Sequence, residues 1–122
     1  MIVFTERAQE ALKNARNTYG SKNQIVVSIE ECNELSAILA KFVRYHDEET
    51  AIKELGTKVL DEVADVTVIL EHVKAVFGLS DYKVGERIEQ KISRLERWLK
   101  TSSDMEQTTI DREVQLEKDE KQ

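Results

Sequence analysis

The chain has 122 residues, no proline, four glycines and 34% charged residues, a composition that favours one domain of helices joined by short turns over a sheet protein. Its net charge of −6 argues against a nucleic-acid partner, which would require neutralisation of phosphates. Its single cysteine, Cys32, excludes an internal disulfide, and we interpret this residue as a small core residue. Because the chain has no signal-like start and no apolar run long enough for a bilayer, we expect a cytoplasmic protein with no membrane partner.

The first two predicted helices are separated by a glycine. Thr5 can cap a first helix that reaches about residue 19, and Gly20 ends it. The second helix begins between Ser21 and Ser28, each of which has capping-box spacing, and reaches about residue 45. The polar and acidic segment 46–50 predicts a turn that leads into the third helix.

The third and fourth helices follow from their apolar periodicity. Apolar residues recur at intervals of three and four from Leu55 to Phe77, and Gly78 closes the run. Ser80 or Asp81 can cap a fourth helix that ends near Lys100. We therefore predict an all-α domain, residues 1–100, with a four-helix bundle-like fold completed by oligomerisation. Residues 101–122 are polar and densely charged, which predicts a solvated tail or a helix ordered only by a partner subunit.

Two pairs of carboxylates interrupt the apolar stripes of the second and third helices. Each pair has i, i+3 spacing, which places both side chains on one face of a helix: Glu31 with Glu34, and Glu62 with Asp65. Acidic pairs of this kind are common on solvated helix faces. These two, however, lie on adjacent helices at comparable distances from the turn, so an antiparallel arrangement would bring all four carboxylates together.

A shared pocket for four ionised carboxylates is costly unless a cation neutralises it. Because only oxygen ligands converge, the pocket suits Mg²⁺, with Mn²⁺ as a substitute, and not zinc. A ferritin-like di-iron site would need a histidine three residues after an acid, and neither histidine has that spacing. We interpret His72 as a polar edge residue.

The fourth helix supplies cations for an anionic ligand. Lys91 and Arg94 lie on one side of the predicted helix and are candidates for binding phosphates. An exposed basic face paired with neighbouring glutamates is the alternative interpretation.

Three segments resemble the all-α nucleotide pyrophosphohydrolases of the MazG-like and dimeric dUTPase superfamily. They are IEECNELSAILAKF, LDEVADVTVILEHV and IEQKISRLERW. The acid pair of the second segment follows the acid pair of the first after 27 intervening residues. The third segment is similar to the Lys-x-x-Arg segment of small phage-type members. The resemblance covers about residues 25–98. The asparagine-rich ending of longer relatives is absent after Lys91.

The resemblance implies a Mg²⁺-dependent hydrolase that splits a nucleoside triphosphate, often a deoxynucleotide, into the monophosphate and pyrophosphate. It implies metal ligation by Glu31, Glu34, Glu62 and Asp65, a catalytic role for Glu34 and Glu31, and assembly as a homodimer or homotetramer. Two alternatives stay open at this point. One is a non-catalytic helical interaction module with acidic faces, and the other is a phosphoribosyl-ATP pyrophosphohydrolase.

Overall fold

The computed structural model describes residues 4–120, which form four helices and no strand. The helices are α1 (Glu6–Tyr19), α2 (Ser21–Val43), α3 (Glu48–Val76) and α4 (Asp81–Glu120). The prediction of an all-α protein is therefore confirmed. Residues 1–3 and 121–122, the extreme ends of the two predicted segments, lie outside the described residues.

The boundary between α1 and α2 follows the local sequence signals. The Thr5 hydroxyl accepts a hydrogen bond from the Ala8 amide at 3.1 Å, which caps α1 as predicted. Gly20 has a φ of +89°, a left-handed value that favours glycine, and it ends α1. Since α2 begins directly at Ser21, Ser28 lies inside the helix, where its hydroxyl donates to the Gln24 carbonyl at 2.7 Å.

The start of α3 is set by a cap and not by the apolar repeat. Asp47 accepts hydrogen bonds from the backbone amides of Glu49 and Thr50 at 3.3 and 3.2 Å, and from the Thr50 hydroxyl at 2.6 Å. The bonds from Thr50 hold the pKa of Asp47 below its ordinary value. As a result, α3 begins at Glu48, inside the segment 46–50 that was predicted as a turn leading into this helix.

The chain divides into two compact units, one ending at Leu79 and the other beginning at Ser80. In the first unit α2 and α3 are antiparallel neighbours, and the buried apolar side chains belong to these two helices: Ile38, Ala51, Leu55 and Ile69. Arg16 of α1 donates a hydrogen bond to Nδ1 of His72 at 3.1 Å. His72 is only 4% exposed, so its interpretation as an edge residue is wrong. Burial, and next the charge of Arg16, lower the pKa of His72.

The second unit is built on α4, which does not end near Lys100. The Ser80 hydroxyl accepts from the Lys83 amide at 3.2 Å, so the cap is Ser80. The helix continues to Glu120, supported by hydrogen bonds between side chains four residues apart, such as Gln107 to Asp111 at 2.8 Å. Residues 101–120, predicted as a solvated tail or a partner-ordered helix, are helical and exposed along their length. None of the described helices is both long enough and apolar enough to cross a membrane.

Candidate metal centre

The four predicted carboxylates meet between α2 and α3. Glu31, Glu34, Glu62 and Asp65 each offer one oxygen, and these four atoms all lie within 4.8 Å of one another. The antiparallel register sets Glu31 against Asp65 and Glu34 against Glu62, because each pair lies a similar distance from the α2–α3 turn. Two helices therefore build one acidic centre that neither helix could form alone.

The two inner carboxylates are in an unusual state. Glu31 and Glu62 are half-buried, whereas Glu34 and Asp65 are exposed. The Oε2 atoms of Glu31 and Glu62 are shielded from solvent and have no hydrogen-bond partner. A shielded carboxylate oxygen without a partner is costly and calls for an explanation, such as an ion that it coordinates.

The pKa values of the two inner glutamates are also consistent with a site for a cation. Burial raises the pKa of Glu31, and the neighbouring charges of Glu34, Asp65 and Glu62 raise it further. Burial raises the pKa of Glu62, and the charges of Glu34 and Asp65 raise it further, while the Lys58 ammonium opposes the shift. A bound divalent cation would reverse this effect, since it favours the ionised form of every carboxylate around it.

A groove of about 490 Å³ adjoins the carboxylates on the side of the α2–α3 turn. It is lined by Glu34, Ala37, Ile38, Lys41, Lys58 and Glu62. The sequence interpretation did not identify Lys41 and Lys58 as residues of the site. Their spacing could have indicated it, because Lys41 lies seven residues after Glu34 and Lys58 four residues before Glu62, which places each on the same helix face as its glutamate. The groove thus presents acid at one end and two ammonium groups along its walls.

Lys91 and Arg94, the cations predicted from sequence, lie together on α4. With Leu95 and Trp98 they line a separate depression of about 290 Å³. Trp98 is exposed, at 69%. The side chains on this part of α4 therefore offer two positive charges beside an accessible aromatic ring.

No protein-family model, curated protein or solved structure matches the chain. Its function must therefore be inferred from the chemistry of the carboxylates and the groove. All four donors are carboxylate oxygens, with no cysteine or histidine among them. Such a set suits hard divalent cations as a class, and the two orphaned Oε2 atoms fit a bound ion.

Cys32 is next to the centre in sequence but not in the core. Its side chain is exposed, so its interpretation as a core residue is wrong. One residue turns a helix by about 100°, which carries Cys32 from the α2–α3 contact, where Glu31 lies, to the flank of the helix pair.

Proposed function

We propose that this protein is a Mg²⁺-dependent nucleoside triphosphate pyrophosphohydrolase with the all-α fold of the MazG-like enzymes. In this proposal Glu31, Glu34, Glu62 and Asp65 hold the metal, and deoxynucleotides are the favoured substrates. The observation that carries the proposal is the pair of shielded, unpartnered Oε2 atoms inside a four-carboxylate centre. A solvated acidic face would leave both oxygens hydrated.

The reaction would be attack by water on the α-phosphorus. A bond forms between the water oxygen and that phosphorus, and the bond to the oxygen bridging the α and β phosphates breaks. Pyrophosphate leaves with the electron pair, and the water proton passes to a carboxylate. We assign this proton transfer to Glu34, because it is exposed and also lines the groove, with Glu31 as its neighbour in positioning the water. Bound metal supplies neutralisation of phosphate charge and a lower pKa for the attacking water.

The residues that line the groove define how a bound substrate would be oriented. Lys41 and Lys58 lie beside Glu34 and Glu62, so a polyphosphate held at the carboxylates can extend toward both ammonium groups. The volume of about 490 Å³ lies within the roughly 300–1,000 Å³ typical of small-molecule sites. Lys91 and Arg94 remain candidates for the outer phosphates, as the sequence predicts. We also propose, from the resemblance, that the protein works as a homodimer or homotetramer in the cytoplasm.

Pyrophosphate detection tests the proposal directly. We expect release from one or more nucleoside triphosphates with Mg²⁺, and none with a chelator present. Glu62→Gln should abolish release, because it removes a metal ligand while preserving side-chain size. Asp61→Asn is the matched control, since Asp61 is the exposed neighbour of Glu62 and lies outside the acidic centre. Equal turnover by the wild type and Glu62→Gln would exclude the metal assignment.

Two further measurements separate the alternatives. A non-catalytic interaction module would show neither Mg²⁺ binding by calorimetry nor pyrophosphate release. A phosphoribosyl-ATP pyrophosphohydrolase would bind Mg²⁺ but would turn over phosphoribosyl-ATP in preference to the deoxynucleotides in the same panel. Each alternative therefore has its own pattern of results.

A further inference from the structure

A hydrogen bond joins the two walls of the groove just beyond its lysines. Lys41 lines the wall formed by α2, and Lys58 lines the wall formed by α3. Tyr45 follows Lys41 by four residues and Glu54 precedes Lys58 by four. Each therefore lies one helical turn closer to the α2–α3 turn, on the same face as its lysine. The Tyr45 hydroxyl donates to Oε2 of Glu54 at 2.8 Å, so the two walls meet at this end of the groove.

The charges on the α3 wall alternate with distance from the acidic centre. Glu62, Lys58 and Glu54 follow one another at intervals of four residues, each about 6 Å along the helix axis. A cation at the four carboxylates would neutralise Glu62. An anionic chain that starts at that cation would then pass an ammonium group first and a carboxylate next. The α3 wall thus attracts an anion over one helical turn and repels it over the following one.

The lysines of the groove are not committed to other side chains. Neither Lys41 nor Lys58 forms an ion pair with another residue in the described range 4–120. Glu54 stands four residues before Lys58, the favourable spacing for an ion pair on one helix, yet its hydrogen bond reaches across to Tyr45 of α2. This bond, and next burial, raise the pKa of Tyr45, which keeps the phenol protonated and donating. Tyr45 thereby leaves the Lys58 ammonium available to a ligand.

A triphosphate matches this order of charges. Its terminal phosphate lies two bridging oxygens beyond the α-phosphate, a span comparable to the roughly 5.4 Å rise of one helical turn. With the α-phosphate at the carboxylates, the terminal phosphate reaches the level of Lys58, where Lys41 faces it from the other wall. A fourth phosphate would reach Glu54 instead.

We propose that Tyr45 and Glu54 set the length of the phosphate chain that the groove accepts, admitting nucleoside triphosphates and rejecting nucleoside tetraphosphates. The inference rests on the proposed function, which puts the α-phosphate at the metal centre. Glu54 determines specificity through repulsion of the fourth phosphate, a form of discrimination that needs no added contact to the accepted substrate. Tyr45 is a positioning residue, because it acts by holding Glu54 across the groove and away from Lys58.

Binding measurements test the chain-length limit without requiring catalysis. The probes are the α,β-methylene analogues of a deoxynucleoside triphosphate and tetraphosphate, titrated calorimetrically in Mg²⁺ at low ionic strength. We expect the wild type to bind the triphosphate analogue about tenfold more tightly, since repulsion between close charges near a protein surface reaches that size. Glu54→Gln should remove most of this preference by strengthening tetraphosphate binding alone. Glu49→Gln is the matched control, because it removes an exposed charge about 140° around α3 from Glu54 and should keep the preference.

Tyr45→Phe separates positioning from a merely structural role. Without the phenol, Glu54 can pair with Lys58, so affinity for the triphosphate analogue should fall about two- to fivefold, the size of an exposed ion pair. The double variant Tyr45→Phe with Glu54→Gln should regain wild-type affinity for that analogue, because no carboxylate remains to occupy Lys58. If the hydrogen bond only braced the helices, the double variant would show no such rescue. Circular dichroism verifies that each variant is folded.

The possible outcomes distinguish this inference from the proposed activity. Equal binding of the two analogues by the wild type, binding of neither, or an unchanged preference in Glu54→Gln would overturn the chain-length limit. Loss of the preference in Glu49→Gln would overturn it too, by showing a general effect of net charge. Pyrophosphate detection with the hydrolysable triphosphate tests the activity separately. A binding preference without pyrophosphate release would support the limit and refute the activity, and release without the preference would do the reverse.

Discussion

Glu31 and Glu62 differ from their partners three residues later in one decisive respect. Their side chains are half-buried with an unpartnered oxygen, whereas Glu34 and Asp65 are exposed to water. Inner carboxylates of this kind oppose folding while they are ionised and favour it once a cation binds. Under the proposed function, the centre therefore lowers the stability of the metal-free protein and gains affinity for the ion.

The pH dependence of stability tests this trade. Because the folded-state pKa values of Glu31 and Glu62 are raised above the ordinary 4.5, the folded state holds more protons than the unfolded state between the two values. Their contribution is fully present below pH 4.5 and is lost as pH rises through the raised values. In a chelator, the free energy of unfolding of the wild type should therefore fall over this range relative to that of Glu62→Gln.

Saturating Mg²⁺ should remove this difference by stabilising only the wild type. Chemical denaturation at a series of pH values, with and without Mg²⁺, measures both effects. Parallel pH profiles for the two proteins in the chelator would show that Glu62 is an ordinary solvated carboxylate.

Which residues sequence could predict depends on how local the signal is. The i, i+3 spacing and the similar distance of each pair from the α2–α3 turn were together sufficient to predict that Glu31, Glu34, Glu62 and Asp65 meet, because a helix fixes which side chains share a face. Helical spacing was not sufficient for Cys32 or His72. Burial of a single side chain depends on which neighbouring helix covers that sector, and α1 covers His72 while no part of this unit covers Cys32.

At the scale of the element, α3 carries two apolar faces with different roles. One face packs against α2 and contains the buried Leu55 and Ile69, and the other is exposed and contains Leu60, Val63 and Leu70. The hydrophobic pattern of the sequence merges the two faces, since Ile69 and Leu70 are consecutive members of one apolar run. Only the observed packing separates core from surface.

Alanine substitution should distinguish the core face of α3 from the rest of the helix. Ile69→Ala should lower the free energy of unfolding by about 2–4 kcal/mol, because Ile69 is 6% exposed and its loss leaves a cavity. Val68→Ala, at a neighbouring residue that is 41% exposed, should cost less than about 1 kcal/mol. Urea denaturation of both variants makes the comparison, and equal losses would contradict the assignment of the core face.

Helix ends show the same division between local and distant causes. Thr5, Gly20 and Ser80 act on their immediate neighbours and were readable from sequence. The start of α3 lies a few residues earlier than the predicted turn 46–50 allows, because Asp47 caps the helix from within that segment. The length of α4 was missed, since residues 101–120 are helical with hardly any apolar face to signal it.

At the scale of the whole molecule, the cationic side chains that the proposed function assigns to phosphate binding belong to two different units. Lys41 and Lys58 share the first unit with the acidic centre, whereas Lys91 and Arg94 belong to α4. A polyphosphate that is charged along its length can use both sets only if α4 of the same chain or of a second copy reaches it. Lys41 and Lys58 therefore test substrate binding within the first unit, whereas Lys91 and Arg94 test whether α4 takes part in it.

Paired substitutions by methionine, which removes charge while keeping side-chain length, separate these contributions. Loss of one charged hydrogen bond costs about 1.5–3 kcal/mol, so Lys41→Met with Lys58→Met should raise KM for the triphosphate by roughly tenfold or more at either ionic strength. Lys91→Met with Arg94→Met should raise KM mainly at low salt if these side chains act from the rim of the site, where screening is strong. Steady-state kinetics at two salt concentrations measures both. An unchanged KM in the first double variant would remove the groove from the site, and an unchanged KM in the second would confine substrate binding to the unit that holds the four carboxylates.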